Sequence, residues 1–170
     1  MPLTLDILKR YRGVTFIETG SYQGEAVGFA LDLGFLSIHT IEFDPARAAG
    51  VRNRFHNNPE VRVYDGDSAK ILPWILQKAA GVGPCTCWLD GHPEGTLTPD
   101  NTPLLAELRC LAGHAKLHRV TVLIDDIRLF SPELLQQATQ LIVAEFPSDY
   151  RVKFLDNHIA TGDIMLVHVP

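Results

Sequence analysis

An α/β fold, with a mainly parallel sheet covered by helices on both faces, is what the sequence predicts, and three observations predict it. Apolar runs of strand length alternate with amphipathic stretches along the chain. A turn carrying Gly20 and Gly24 separates the first apolar run from the stretch that follows it. The chain also closes on two strand-like runs whose connection is too short for a parallel return, so that pair must be antiparallel.

Each element follows in order. Residues 14–18 read as the first strand, and residues 25–33 have the composition of a helix that Gly34 stops. Residues 37–43 form the second strand, after which Asp44 is placed as an N-cap and Pro45 as a first helical residue. The third strand covers residues 61–64, and Ser68, following Gly66 and Asp67, is placed to cap a helix reaching about Ala80. Residues 84–89 are short and apolar, as a central strand is. A helix starting near Thr102 and Pro103 carries Leu104, Leu105, Leu108 and Leu111 as a one-sided apolar stripe. Residues 119–124 give the fifth strand, and Ser131, Pro132 and Glu133 open a further helix. Residues 150–155 and 163–169 are the closing pair, joined by the turn-rich residues 156–162. The residues before position 14 are assigned no element.

Length and composition bound the possibilities. A chain of 170 residues fits one domain, residues 1–170. With 46% apolar and 21% charged residues, neither disorder nor a coiled coil is indicated. No apolar run is long enough to cross a bilayer, and no membrane association is expected of what reads as a cytoplasmic protein. The net charge of −5 without a basic run argues against a nucleic-acid partner. Cys85 and Cys87 would share one strand face, but zinc would need a second ligand cluster and none exists; buried free thiols are expected.

In open sheets of this class, ligands bind beyond the carboxyl ends of the strands. A carboxylate stands at every one of the first five ends: Glu18, Glu42 with Asp44, Asp65 with Asp67, Asp90, and the pair Asp125-Asp126. Each alone reads equally well as a helix cap or turn residue. Their joint occurrence at successive ends is what a cap-only account leaves unexplained.

The run Glu18-Thr19-Gly20-Ser21-Tyr22-Gln23-Gly24 resembles the glycine-rich motif of class I S-adenosylmethionine-dependent methyltransferases. The resemblance implies a Rossmann-like three-layer sandwich with a seven-stranded sheet of order 3-2-1-4-5-7-6 and an antiparallel last strand. It also implies a cofactor site. Gly20 and Gly24 would let the backbone approach S-adenosylmethionine closely, with Ser21 and Tyr22 between them, while Glu18 would meet its amino acid moiety. Glu42 would grip the ribose hydroxyls beside Phe43, Asp67 and Ser68 would read the adenine, and Asp90 would border the same pocket. A nicotinamide-binding protein is the competitor, yet its Gly-x-Gly-x-x-Gly spacing is absent, and Glu18 would lie close to where a pyrophosphate must rest. A sulfonium cofactor without phosphate suits an acidic pocket.

Asp90, Asp125 and Asp126 would converge from neighbouring strands, repelling one another unless a hard divalent cation neutralises them. The segments Trp88-Leu89-Asp90-Gly91-His92 and Val122-Leu123-Ile124-Asp125-Asp126 resemble the metal-dependent O-methyltransferases of the catechol, caffeoyl-coenzyme A and macrocin types. That resemblance implies Mg2+, or manganese or calcium, on Asp90, Asp125 and Asp126, with an acceptor hydroxyl bound to the ion. The plant and catechol enzymes place a lysine base three residues after the strand-four acid; Pro93 stands there, and His92 becomes the candidate base, with Asp90 beside it. Residues 91–101 are long for a connection and read as a lid, with Arg128 and residues 156–162 at the same opening. The other histidines form no ligand spacing.

The expectation is a divalent-metal-assisted O-methyltransferase acting on a small hydroxylated acceptor. Two alternatives keep the fold: a metal-independent N- or C-methyltransferase, and a non-catalytic module that binds S-adenosylmethionine. With so few residues ahead of the first strand, the acceptor pocket is shallow, completed by a second subunit as in a homodimer, or adapted to a large substrate.

Overall fold

The computed structural model describes residues 3–79 and 83–170. Strands β1 (Thr15–Thr19), β2 (Ser37–Glu42), β3 (Val61–Asp65), β4 (Cys85–Leu89), β5 (Val120–Ile124), β6 (Arg151–Leu155) and β7 (Ile164–His168) form one sheet of order β3-β2-β1-β4-β5-β7-β6. The first five are mutually parallel, whereas β7 runs antiparallel to both β5 and β6. The architecture and the antiparallel closing pair are those the sequence predicts, and the strand order is the one the family resemblance implies. Bounds move by a residue or so, as at β1, expected over 14–18 and found over 15–19. The end expected for the fourth helix, at Ala80, lies outside the described residues.

The twofold alternation of side chains divides the core. On one face Ile17, Cys87, Val122 and Val167 pack under α4 (Ser68–Ala79), α5 (Leu104–Ala115) and α6 (Pro132–Glu145). On the other, Phe16, Trp88, Leu123 and Leu166 pack under α1 (Leu5–Arg10), α2 (Glu25–Asp32) and α3 (Pro45–Arg54). Side chains such as Leu108 and Val27 are wholly buried, each contributing roughly 1.5–3 kcal/mol. Cys85 and Cys87 are buried free thiols on the first of these faces.

Two local readings are corrected. Helix α1 occupies residues assigned no element; Thr4 caps it by accepting from the Ile7 N–H at 3.2 Å, and Leu8 buries against the sheet. Thr4, the first-turn Asp6 and the last-turn Lys9 and Arg10 are a complete start-and-stop signal that a search for longer elements passes over. Helix α4 is capped by Asp67, whose Oδ1 accepts from the Ala69 N–H at 3.0 Å; Ser68 is its first helical residue.

Register places the site. Thr19 pairs with Ile41 and Leu89, and Leu89 with Ile124, so the ends of β1, β2, β4 and β5 lie level along one rim. The loops leaving them open together on that rim.

Candidate active site

A cleft of about 1020 Å³ runs along this rim. Gly20, Tyr22, Glu42, Phe43, Asp67 and Ser68 line one half, and Asp90, His92, Asp126 and Arg128 line the other.

The first half is built from a tight turn. Gly20 has φ 84°, and its N–H donates to Ile41 O at 2.8 Å. A Cβ there would collide with the carbonyl of Asp90, so only glycine lets the ends of β1 and β4 approach so closely. Gly24, at φ 82°, starts α2 against the Phe55 ring. Glu42 spans the floor. Its Oε2 accepts from the Tyr22 N–H at 2.9 Å and its Oε1 from the Asp44 N–H at 3.0 Å, locking the β1 and β2 turns to one carboxylate. Phe43 projects outward, 78% exposed.

Glu18 and Ser21 lie beneath this surface rather than on it. Glu18 is 2% exposed and accepts from the Thr40 hydroxyl at 2.5 Å; Thr40 in turn lies 2.5 Å from the Ser21 hydroxyl. Burial pushes the Glu18 carboxyl well above the usual range, the Thr40 hydrogen bond opposes this, and the charges of Asp90, Glu25 and Glu42 reinforce it. A cation brought to this floor would favour the ionised form.

The second half is differently organised. Asp126 adopts a left-handed conformation, φ 57° and ψ 37°, which turns its carboxylate into the cleft. His92 Nε2 lies 3.4 Å from Asp90 Oδ1 and 3.6 Å from Asp126 Oδ2. His92 Nδ1 is 3.2 Å from the Pro93 carbonyl, which can only accept, so Nδ1 carries a hydrogen and Nε2 faces the two carboxylates. Among the described residues that buried Nε2 has no hydrogen-bond partner. A lone pair aimed at two carboxylates requires positive charge between them, either a proton or a metal ion. Burial, and after it the Asp126 charge, raises Asp90 to about 7.

The three acids expected to converge are divided. Asp125 directly follows β5, is fully buried and lies below the cleft, with Oδ1 accepting from the Asp126 N–H at 2.8 Å and Oδ2 without a partner among the described residues. Burial, then Asp90 and Asp126, pushes it to about 8. The ligand-type groups that come together are Asp90, His92 and Asp126 in the cleft, and Asp125, Asp126 and Asp163 behind it. The second set already holds a cation, because Arg128 Nη1 lies 2.6 Å from Asp126 Oδ1 and also pairs with Asp163.

Glu107 is a site neighbour that sequence reasoning missed. It is 2% exposed on α5, faces Thr19 and Ser68, and is raised by burial to about 7. Its signal was available: it lies on the stripe of Leu104, Leu108 and Leu111, where a carboxylate interrupts apolar spacing. Residues 91–101 are pinned over the cleft where the Leu97 N–H donates to Leu129 O and the Ser131 N–H to Leu97 O, both at 2.8 Å.

No protein-family model matches the chain, and no curated protein matches it either. Solved structures do. The O-methyltransferase TomG of Streptomyces achromogenes, involved in tomaymycin synthesis and solved with S-adenosylmethionine, superposes with a TM-score of 0.68 at 15% identity, over 97% of this chain and 77% of that one. An O-methyltransferase from Bacillus cereus, in complex with S-adenosylhomocysteine, gives 0.67 at 13% identity, over 98% and 78%. The methyltransferase domain of bacterial CtHen1 gives 0.63 at 13% identity, over 98% and 95%. The chain therefore has the Rossmann-like fold of class I S-adenosylmethionine-dependent methyltransferases and resembles the O-methyltransferases among them.

Proposed function

We propose that the protein is an S-adenosylmethionine-dependent methyltransferase that methylates a hydroxyl group of a small acceptor with the help of a divalent cation. Support for the cofactor comes from the first half of the cleft. The Gly20 turn gives close backbone approach, Glu42 is fixed by two N–H groups yet retains lone pairs for a hydroxyl donor, and Phe43 offers an exposed apolar face. Glu18 beneath the floor would compensate a cationic ligand, whereas a pyrophosphate would meet its charge. The cofactor, when bound, supplies a methyl group already activated on sulfur. The neighbouring structures solved with that molecule or its product add support at the level of the fold.

Support for the cation is one observation: the unpartnered His92 Nε2, oriented by Pro93 O and flanked by Asp90 and Asp126. The two carboxylates suit magnesium or manganese, and the imidazole, a softer ligand, favours manganese of the two. Asp90, His92 and Asp126 would hold the ion, with Asp125 behind them, and a bound ion lowers the pKa of a hydroxyl that it touches. In that arrangement His92 is a ligand; without the ion, its free Nε2 lone pair would be the base that takes the proton of the same hydroxyl, and the imidazolium formed would face Asp90 and Asp126. Asp90, beside Gly20, borders both halves and would help align acceptor with cofactor.

Calorimetric titration with S-adenosylmethionine and with NAD, in the presence and absence of Mg2+, tests the assignment. Binding of the former, enhanced or unaltered by the ion, together with methylation of members of a hydroxylated acceptor panel, is expected. Preferential binding of NAD would overturn it, and binding without turnover on any acceptor would leave a cofactor-binding module.

A further inference from the structure

Behind the cleft a chain of polar contacts runs from the β6–β7 connection to the candidate cation site. Asp163, its side chain fully buried, uses every acceptor it has. Its main-chain carbonyl accepts from the Ile127 N–H at 3.0 Å, Oδ1 accepts from the Arg128 N–H at 3.0 Å, and Oδ2 accepts from Asn157 Nδ2 at 2.8 Å and from Arg128 Nη1. Asn157 is itself fixed, its Oδ1 accepting from the Ile159 and Ala160 N–H groups at 2.8 and 2.9 Å. The same Arg128 Nη1 lies 2.6 Å from Asp126 Oδ1, while Asp126 Oδ2 faces His92.

Asp126 thus has two differently used oxygens, one toward a permanent cation and one toward the cleft. A guanidinium held on Asp126 alone would cancel the charge that a divalent ion needs. Shared with Asp163, it is already balanced, and Asp90 and Asp126 keep a net negative field at His92. Resting on the assignment of Asp90, His92 and Asp126 as the cation site, we infer that Asp163 is a positioning residue that draws the charge of Arg128 away from Asp126 and so sets the divalent-ion affinity of the cleft. Arg128 is correspondingly the counter-ion of Asp163, and its charge is unavailable for an anionic acceptor.

Mn2+ titration of the full chain, followed by the free-ion electron paramagnetic resonance signal, tests this in a charge cycle. Asp163→Asn keeps the shape and the acceptor for the Arg128 N–H but leaves the guanidinium to Asp126, and Mn2+ should bind about tenfold or more weakly. Asp163→Asn combined with Arg128→Gln removes one charge of each sign and should return the affinity to within about threefold of wild type, a rescue that a merely structural role would not give. Arg128→Gln alone should bind Mn2+ several-fold more tightly, and it decides the matter if Asp163→Asn does not fold. Wild-type binding with an unchanged Asp163→Asn, a folded double variant no better than Asp163→Asn, or a weaker Arg128→Gln overturns the inference alone. Absence of Mn2+ binding in the wild type overturns the cation assignment and the inference together.

Discussion

The two halves of the cleft handle their carboxylates in opposite ways. Along β1 to β3, Glu18 has the Thr40 hydroxyl as its donor, Glu42 two backbone N–H groups and Asp67 the first turn of α4, while Asp65 pairs with Arg52. Beyond β4 and β5 Asp90 and Asp126 face one another across His92, and Asp125 Oδ2 and His92 Nε2 are buried without hydrogen-bond partners among the described residues. Hydrogen bonds within the chain preorganise the first half, whereas the second leaves acids and an imidazole lone pair facing one another. A ligand should therefore bind the first half with little rearrangement, and an ion should change the energetics of the second more than its shape.

If the halves are separate devices, variants should split cleanly between them. The largest effect belongs to Glu42→Ala, which removes the acceptor of two N–H groups and the carboxylate nearest the expected ribose position. S-adenosylmethionine affinity should fall about 100-fold, close to 3 kcal/mol, while Mn2+ affinity holds within about twofold. Asp126→Asn should do the converse, weakening Mn2+ about 30-fold, roughly 2 kcal/mol, with cofactor affinity preserved. Isothermal titration of both ligands against both variants measures this, and equal losses of both ligands in either variant would dissolve the distinction.

Most of the first half was legible in the sequence, because its parts sit at strand ends in a fixed order. Gly20, Gly24 and Glu42 are where the alternation of strands and helices places them, and Gly20 is further fixed by its approach to Asp90. In the second half Asp90, His92 and Asp126 come together at the strand ends where the sequence puts them, but the separation of Asp125 from them was not legible. That Asp125 is buried below the cleft while Asp126 turns into it depends on one left-handed residue, φ 57°, in a pair of identical amino acids. Asp163, held by Asn157, reaches Arg128 from the β6–β7 connection, a tertiary contact that neither spacing nor periodicity encodes. Glu107 was visible as an acid on an apolar stripe, but its position against Thr19 and Ser68 required the packing of α5 on the sheet.

Incomplete electrostatics should also appear as a pH dependence of stability. Asp90 and Glu107, raised to about 7, and Asp125, raised to about 8, keep in the folded chain protons that the unfolded chain releases near pH 4. The ligand-free protein should accordingly lose stability as pH climbs from about 4 to about 8, with Mg2+ recovering part of the loss at the alkaline end. Glu107→Gln mimics the protonated acid and should flatten the curve, matching wild type near pH 5 and exceeding it by about 2 kcal/mol above pH 8. Urea unfolding across this range is the measurement. Parallel curves for the two proteins would mean that Glu107 ionises in the folded chain without penalty.

The smallest effect distinguishes how Glu18 takes part. Thr40→Val keeps the shape of the side chain but removes the hydroxyl that donates to Glu18 Oε2 and lies beside Ser21 Oγ. One hydrogen bond to a buried carboxyl is lost, so stability should drop by about 1 kcal/mol. Losing the hydrogen bond removes the influence that opposes burial, and the Glu18 carboxyl should then titrate at still higher pH. Because a cationic ligand favours ionised Glu18, S-adenosylmethionine affinity should weaken as pH falls, and in Thr40→Val that weakening should set in at a higher pH. Titrations at a series of pH values, repeated in buffers of different protonation enthalpy, read both the onset and the proton released on binding. An onset at the same pH in both proteins would place Glu18 outside the cofactor's field, and the first half of the cleft would then act through Glu42 and the Gly20 turn alone.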